Sequence, residues 1–425
     1  MRRISGRLLA CTMVVGSLAL VATPAMAKDK KTDEVKAPEI SAEFRAAAEP
    51  VEKAVLAKDF VTANAGIAAA EAAAVTPYEK NIAAHFRLQI AANLNDMPQQ
   101  YKAVETILST GLADPTELPS MYFYSGNFAF ADGKYELAIE RLTKALELGY
   151  TKNNAQLMLA DSYLRTNRLD EAFAIARKAI ATKRAAGEQV PADWFNRPAS
   201  AAQKAGRSAD FIDFLALRNQ SYPTPENWRN TTILYLQTFK PEKGATLDAL
   251  RLLDATGAMQ TRQEFFEWAA VASESGLPGE SVRAYEAGIR SGAVAKSDAE
   301  FTKLSKDQAS QIAKDKSGLG DAESTAATSA TGKIASATGD AWLGYNEYAK
   351  AAAMYRLALQ KGGVDVAAVN TRLGIALAQS GDFTGAQQAF AAVTGPRASL
   401  ARLWSVYVAQ KLAASTAATA TTPAS

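Results

Sequence analysis

Small and large apolar residues recur along this chain with a long period. Between Tyr122 and Ala181, Gly126, Ala138 and Ala145 are followed 34 positions later by Ala160, Ala172 and Ala179, and Tyr135 and Leu142 by Leu169 and Ala176. Within each segment the apolar positions return every three or four residues, the spacing of one face of an α-helix. The breaks Asp132-Gly133 and Asn167-Arg168 fall between the periodic stretches. Gly and Asn are the residues that best tolerate the left-handed backbone of a tight reversal. The pattern predicts antiparallel helices over 120–131 and 135–148, with Gly126 and Ala138 at their closest approach. A self-match at this period is the mark of stacked helix–turn–helix units, none of which buries its apolar face alone.

The same punctuation continues in both directions. Residues 41–296 read as one array, beginning in weaker form at Ser41, with Thr76-Pro77, Asn95-Asp96, Ala205-Gly206, Pro223-Thr224-Pro225 and Gly276-Leu277-Pro278 as breaks. The clearest repeats are 119–181. Residues 297–338 are irregular: 299–316 is helical by composition, Ser317-Gly318-Leu319-Gly320 reads as a loop, and the rest is Ala, Ser and Thr. The pattern returns over 339–412, where Gly339 and Gly374, and Ala351 and Ala386, are 35 apart. Residues 397–412 are expected to form a helix capping the last apolar face, followed by a disordered Ala/Thr tail, 413–425.

These residues resemble the tetratricopeptide repeat (TPR) family, in the form of a bacterial exported array. The resemblance implies an all-α fold, a right-handed α-solenoid of some eight to ten helical hairpins. It also implies a binding groove lined by the first helix of each hairpin. Carried over position by position, the groove residues are Phe123, Asn127 and Phe130 in one unit and Asn154, Leu157, Asp161 and Arg165 in the next. Ser336, Asp340, Thr371 and Ile375 hold the corresponding places near the C-terminus. Some TPR domains hold a terminal carboxylate with a basic clamp. Asp161 and Phe123 occupy two of the clamp positions here, so a mixed groove for an extended peptide or a partner helix is the better expectation.

Export changes the electrostatics. Residues 1–27 have the form of a cleaved secretory signal peptide: Arg2, Arg3 and Arg7, then an apolar stretch over 8–21, then Ala25-Met26-Ala27. The apolar stretch is too short to span a membrane. A periplasmic or secreted protein is expected, with cleavage after Ala27 and a charged linker over 28–40. The chain has 47 basic and 44 acidic residues; removing the three leader arginines leaves 44 of each. Nothing global then favours nucleic acid. The one cysteine, Cys11, lies in the leader, so neither disulfides nor thiol chemistry are expected beyond it.

Catalytic chemistry finds no footing in the sequence. One histidine, His85, cannot make a two-histidine metal site or an HExxH motif. Thr331-Gly332-Lys333 echoes a phosphate loop, but Ala327 replaces the earlier glycine and Ile334 the Ser/Thr. No cofactor is expected. The leading expectation is a non-catalytic protein-interaction scaffold of the cell envelope. The second is a glycan-binding component of envelope-polymer assembly or export, for which Trp194, Trp228, Trp268, Trp342 and Trp404 are the candidate platforms.

Overall fold

The computed structural model of the chain describes residues 38–420. The expected leader, 1–27, and most of the expected linker, 28–40, lie outside the described residues. The chain divides into two compact units, residues 1–175 and 176–425.

The first unit is built from helical hairpins: α1 (Ala42–Leu56) with α2 (Phe60–Ala73), α3 (Pro77–Asn93) with α4 (Met97–Thr110), α5 (Leu118–Ala131) with α6 (Tyr135–Glu147), and α7 (Ala155–Arg165) leading into α8 (Leu169–Ala185). First helices pack on first helices, α1 on α3 and α5 on α7, as a stacked array requires. The second unit contains α9 (Asp193–Lys204) with α10 (Ser208–Ser221), α11 (Pro225–Phe239) with α12 (Lys243–Ala255), and α13 (Arg262–Glu274) with α14 (Pro278–Ser291). A long helix, α15 (Ala299–Thr328), follows, then α16 (Lys333–Gly344) with α17 (Tyr348–Lys361), α18 (Val366–Gln379) with α19 (Phe383–Ala391), and α20 (Ala398–Ala420).

Each hairpin turn among the described residues holds one residue at positive φ: Lys58, Asn95, Gly133, Asn167, Gly206, Lys240, Gly276, Asn346 and Gly381. Several helix starts carry side-chain caps. In the first unit Glu79 closes a capping box with Thr76 and takes more than that box. The Ser41 N–H and hydroxyl each donate to its carboxylate at 2.7 Å, and the Val75 and Thr76 N–H groups at 2.9 Å. Glu79 thereby ties the start of α1 to the start of α3. The Ser41 hydroxyl, followed by the backbone donors, holds its pKa down to about 2. Glu264 repeats the device at the start of α13, with N–H groups from Gln260 and Thr261 and a guanidinium from Arg229.

Two expectations need correcting. Ser317-Gly318-Leu319-Gly320 is not a loop but lies inside the 30-residue α15. Glycine inside a helix costs about 1 kcal/mol relative to Ala. Tertiary contacts offset that cost: Leu319 and Ala326 are buried, the Tyr345 hydroxyl donates to Asp315 at 2.6 Å, and the Lys316 ammonium lies 4.7 Å from the Tyr345 ring centroid. The tail expected to be disordered from Ala413 continues α20 as helix to Ala420, since Ala is the best helix former; 421–425 lies outside the described residues.

α20 also does more than cap. It packs on α19 and along α10, and also meets α12 and α18. Leu400, Leu403, Trp404, Val406 and Val408 are at most 1% exposed. An apolar surface this wide is the mark of a helix covered on more than one side.

Candidate functional site

In the first unit α5 and α7 present the predicted groove residues, and the structure divides them. Phe123 is 4% exposed. Its ring stacks on Tyr150 with centroids 4.5 Å apart, and the Asn153 amide holds the Tyr150 hydroxyl at 2.6 Å. The loop after α6 therefore covers Phe123 with an aromatic lid, and Phe123 belongs to the core with Leu142 and Leu159. Phe130 and Arg165, in contrast, converge on one ring. The Phe130 and Tyr135 centroids are 5.5 Å apart at a steep angle, and the Arg165 guanidinium lies 5.9 Å from the Tyr135 centroid. Phe130 and Tyr135 are half-buried and Arg165 is exposed. Asn127, Leu157 and Asp161 are half-buried on the same two helices. Asn154 is exposed in a left-handed conformation at the start of α7. The partly exposed side chains of this face thus include aromatic and cationic groups, and Phe123 is not among them.

Near the C-terminus the carried-over positions fare differently. Thr371 and Ile375 are buried, and the Thr371 hydroxyl donates to the Ala367 carbonyl at 2.7 Å. Asp340 accepts from the Tyr355 hydroxyl and from Arg372, each at 2.7 Å. Thr371 and Ile375 therefore serve packing and Asp340 an ion network, with only Ser336 left half-exposed.

That network has Asp248 at its centre. Asp248 is fully buried, and Arg251 donates to it at 2.7 Å, Arg397 at 2.7 Å, while Arg372 lies 3.5 Å away. Arg251 also grips Glu280 through two nitrogens at 2.8 and 2.5 Å. The Trp268 indole N–H donates to the same carboxylate at 2.9 Å. Burial alone would raise the pKa of Glu280; the Arg251 charge and its hydrogen bonds hold it at about 2. Asp248 is likewise kept below the usual carboxylate range, burial being outweighed by Arg372, Arg251 and Arg397. Both acids are ionised and paired, a structural use of charge. No position in the repeat pattern pointed to them, because charges far apart in sequence read as solvated helix faces. A usable signal was the apolar width of the α20 sequence, which a one-sided cap does not need.

His85 is half-buried on α3; burial pushes its imidazole pKa down against the opposing charge of Glu117. Among the described residues no group of three or more His, Cys, Asp or Glu is placed to hold a metal ion. Among them, too, no helix is long and apolar enough to cross a membrane. Four of the five tryptophans are core residues: Trp194, Trp228, Trp268 and Trp404 are at most 3% exposed.

One contact recurs in three of the hairpins. A Cβ on Gly126 would stand 2.7 Å from Leu142, one on Gly339 2.8 Å from Tyr355, and one on Gly374 2.5 Å from Phe390. In each pair the large residue is 16 positions on, across the turn. The resemblance to tetratricopeptide repeats leads one to expect this close approach of the two helices. No protein-family profile matches the sequence, and no curated protein does. Similar solved structures include that of Naa15/Naa10 bound to HypK-THB, at 11% identity over 82% of this chain and 57% of that one, with a TM-score of 0.34. The chain thus spans little more than half the length of that protein. The P58(IPK) TPR domain follows at 15% identity, 80% and 99% coverage and a TM-score of 0.23. A chain of the APC/C hetero-tetramer Cut9-Hcn1 stands at 11% identity, 83% and 86% coverage and 0.17.

Proposed function

We propose that this chain is a non-catalytic scaffold of the bacterial periplasm or cell envelope that binds a protein partner on the α5–α7 face. The observation that carries the reading is the convergence of Phe130 and Arg165 on Tyr135 in partly exposed positions. Aromatic residues and arginine are the side chains that most often anchor protein interfaces. Asn127, Leu157 and Asp161 beside them supply the polar and apolar contacts that an extended peptide or one partner helix uses. The envelope location rests on the leader pattern of residues 1–27. The reading includes no nucleic acid and no cofactor. A glycan ligand loses its motive, because four of the five tryptophans that would have served as platforms are in the core.

The test is a crosslinking pull-down from the native envelope fraction, read by mass spectrometry, with a Phe130→Glu/Arg165→Glu double variant as control. One recurrent protein, lost with the double variant, supports the scaffold and its surface. A partner captured equally by both chains removes the α5–α7 face from the proposal. The mass of the chain recovered from that fraction reports whether residues 1–27 have been removed.

A further inference from the structure

Charge is divided unevenly along the chain. Residues 38–175 carry 12 basic and 18 acidic side chains, whereas residues 176–420 carry 28 and 23. Within the second unit the cations crowd one seam, where α10 meets α20 and the part of α8 that belongs to this unit. Two aspartates of α10 each serve two guanidiniums there. Asp210 accepts from Arg177 and, at 2.8 Å, from Arg207. Asp213 accepts from Arg177 at 2.8 Å and from Arg402 at 3.2 Å.

The register then breaks the balance. Arg184 follows Arg177 by two turns of α8, and Gln220 follows Asp213 by two turns of α10. The arginine that should meet a second carboxylate therefore meets a neutral amide, and Arg184 donates to the Gln220 side-chain oxygen. Arg184 is half-buried and has no ion pair with any described residue, while Arg402 is exposed beside it. Burial, and after it the Arg402 charge, push the Arg184 pKa below the ordinary arginine value. A half-buried cation facing a second cation is a cost to the fold unless an anion joins them. The donors for such an anion are present. A guanidinium offers several N–H groups in a rigid fork. Arg184 commits Nη1 to Gln220 and Arg402 commits Nε to Asp213, which leaves the other nitrogens of both for an outside acceptor. Two forks reaching in from two helices suit an acceptor whose oxygens point in several directions, as those of a tetrahedral phosphate do and those of a planar carboxylate do not.

We propose that the seam between α8 and α20 is an oxyanion site, in which Arg184 and Arg402 hold one phosphate group while Gln220 and Asp213 position the two guanidiniums. The site is independent of the α5–α7 surface. Its ligand is inorganic phosphate or the phosphate monoester of a larger molecule, which present the same oxygens to the two forks.

The test is calorimetric titration of the full chain with sodium phosphate and, separately, with glycerol phosphate, each in a chloride buffer of fixed ionic strength. Saturable binding of at least one of them is expected. Arg184→Gln and Arg402→Gln are each expected to bind at least tenfold more weakly, and Arg45→Gln, at an exposed arginine of α1, to bind as the unmodified chain does. Binding of inorganic phosphate alone supports the site with the free ion as ligand; tighter binding of the monoester supports it with a larger one. No saturable binding of either, or unchanged binding by a folded Arg184→Gln chain, overturns the proposal. Hydrogen exchange on the unmodified chain decides the matter should the variants fail to fold by circular dichroism. Phosphate is expected to slow exchange of the 398–406 amides at least twofold relative to chloride and to leave α1 unchanged. Equal exchange in the two salts overturns it.

Discussion

Arg397 reaches Asp248 at 2.7 Å across 149 residues of sequence, inside the protein and out of water. The pair ties the start of α20 to α12, and Arg251 and Arg372 share the same carboxylate. Removing one partner of a buried ion pair strands the other, at a cost of about 3–5 kcal/mol. Asp248→Asn is therefore expected to destabilise the second unit by about that amount, read as a lower urea midpoint. The Lys53–Glu49 pair is solvent-exposed and screened by water, so Lys53→Ala is the matched control and should leave the midpoint almost unchanged.

Glycines in this chain divide by what surrounds them. Gly374 faces the Phe390 ring, and a Cβ there would come within 2.5 Å of it. Gly374→Val should cost about 1–3 kcal/mol through overpacking. Gly318 lies inside α15 with nothing within 4 Å of a Cβ. Gly318→Ala should stabilise that helix by about 0.5–1 kcal/mol. Thermal melts of the two variants should shift in opposite directions.

Phe123 and Phe130 stand seven residues apart on one helix but are expected to act differently. Phe123→Ala removes a buried ring stacked on Tyr150 and should cost about 3–5 kcal/mol of stability. Phe130→Ala should cost less stability and should lower partner capture. Denaturation midpoints measured beside the pull-down separate the two roles.

Acid sensitivity in the first unit follows from Glu79. Its folded pKa of about 2 lies below the ordinary value of 4.5. A carboxylate with a depressed folded pKa contributes stability that is fully present above the unfolded pKa and is lost as pH falls through the folded one. Its contribution is therefore intact at pH 7 and disappears between about pH 4.5 and about 2. Glu79→Gln should lower the melting temperature at pH 7 and flatten its decline toward pH 2. An unchanged slope would assign the acid transition to other groups of that unit, among them Glu71, whose carboxylate the Arg87 hydrogen bonds hold below its ordinary range.

The repeat was legible because it is local. Gly126 with Leu142, and the turn at Gly133, depend only on spacings within one hairpin, so the 34-residue self-match carries them. The loop expected at Gly318 was misread because local propensity had no view of Tyr345 gripping Asp315 from another helix. The burial of the expected groove residues was legible only in part for the same reason. The resemblance assigns Phe123 and Phe130 to one groove, but the loop residue Tyr150 stacks on Phe123 and buries it.

By itself the sequence determined that this chain forms antiparallel helical hairpins, where they turn and which small residues let them touch. Each of those facts follows from helical periodicity and from steric limits a few residues wide. Only the tertiary structure decided that α20 lies along α10 as well as capping α19, and that Asp248, Arg372 and Arg397 meet. Pairings between residues more than a hundred positions apart leave no periodic trace. They arise because a buried charge must find an opposite charge, wherever along the chain that charge lies.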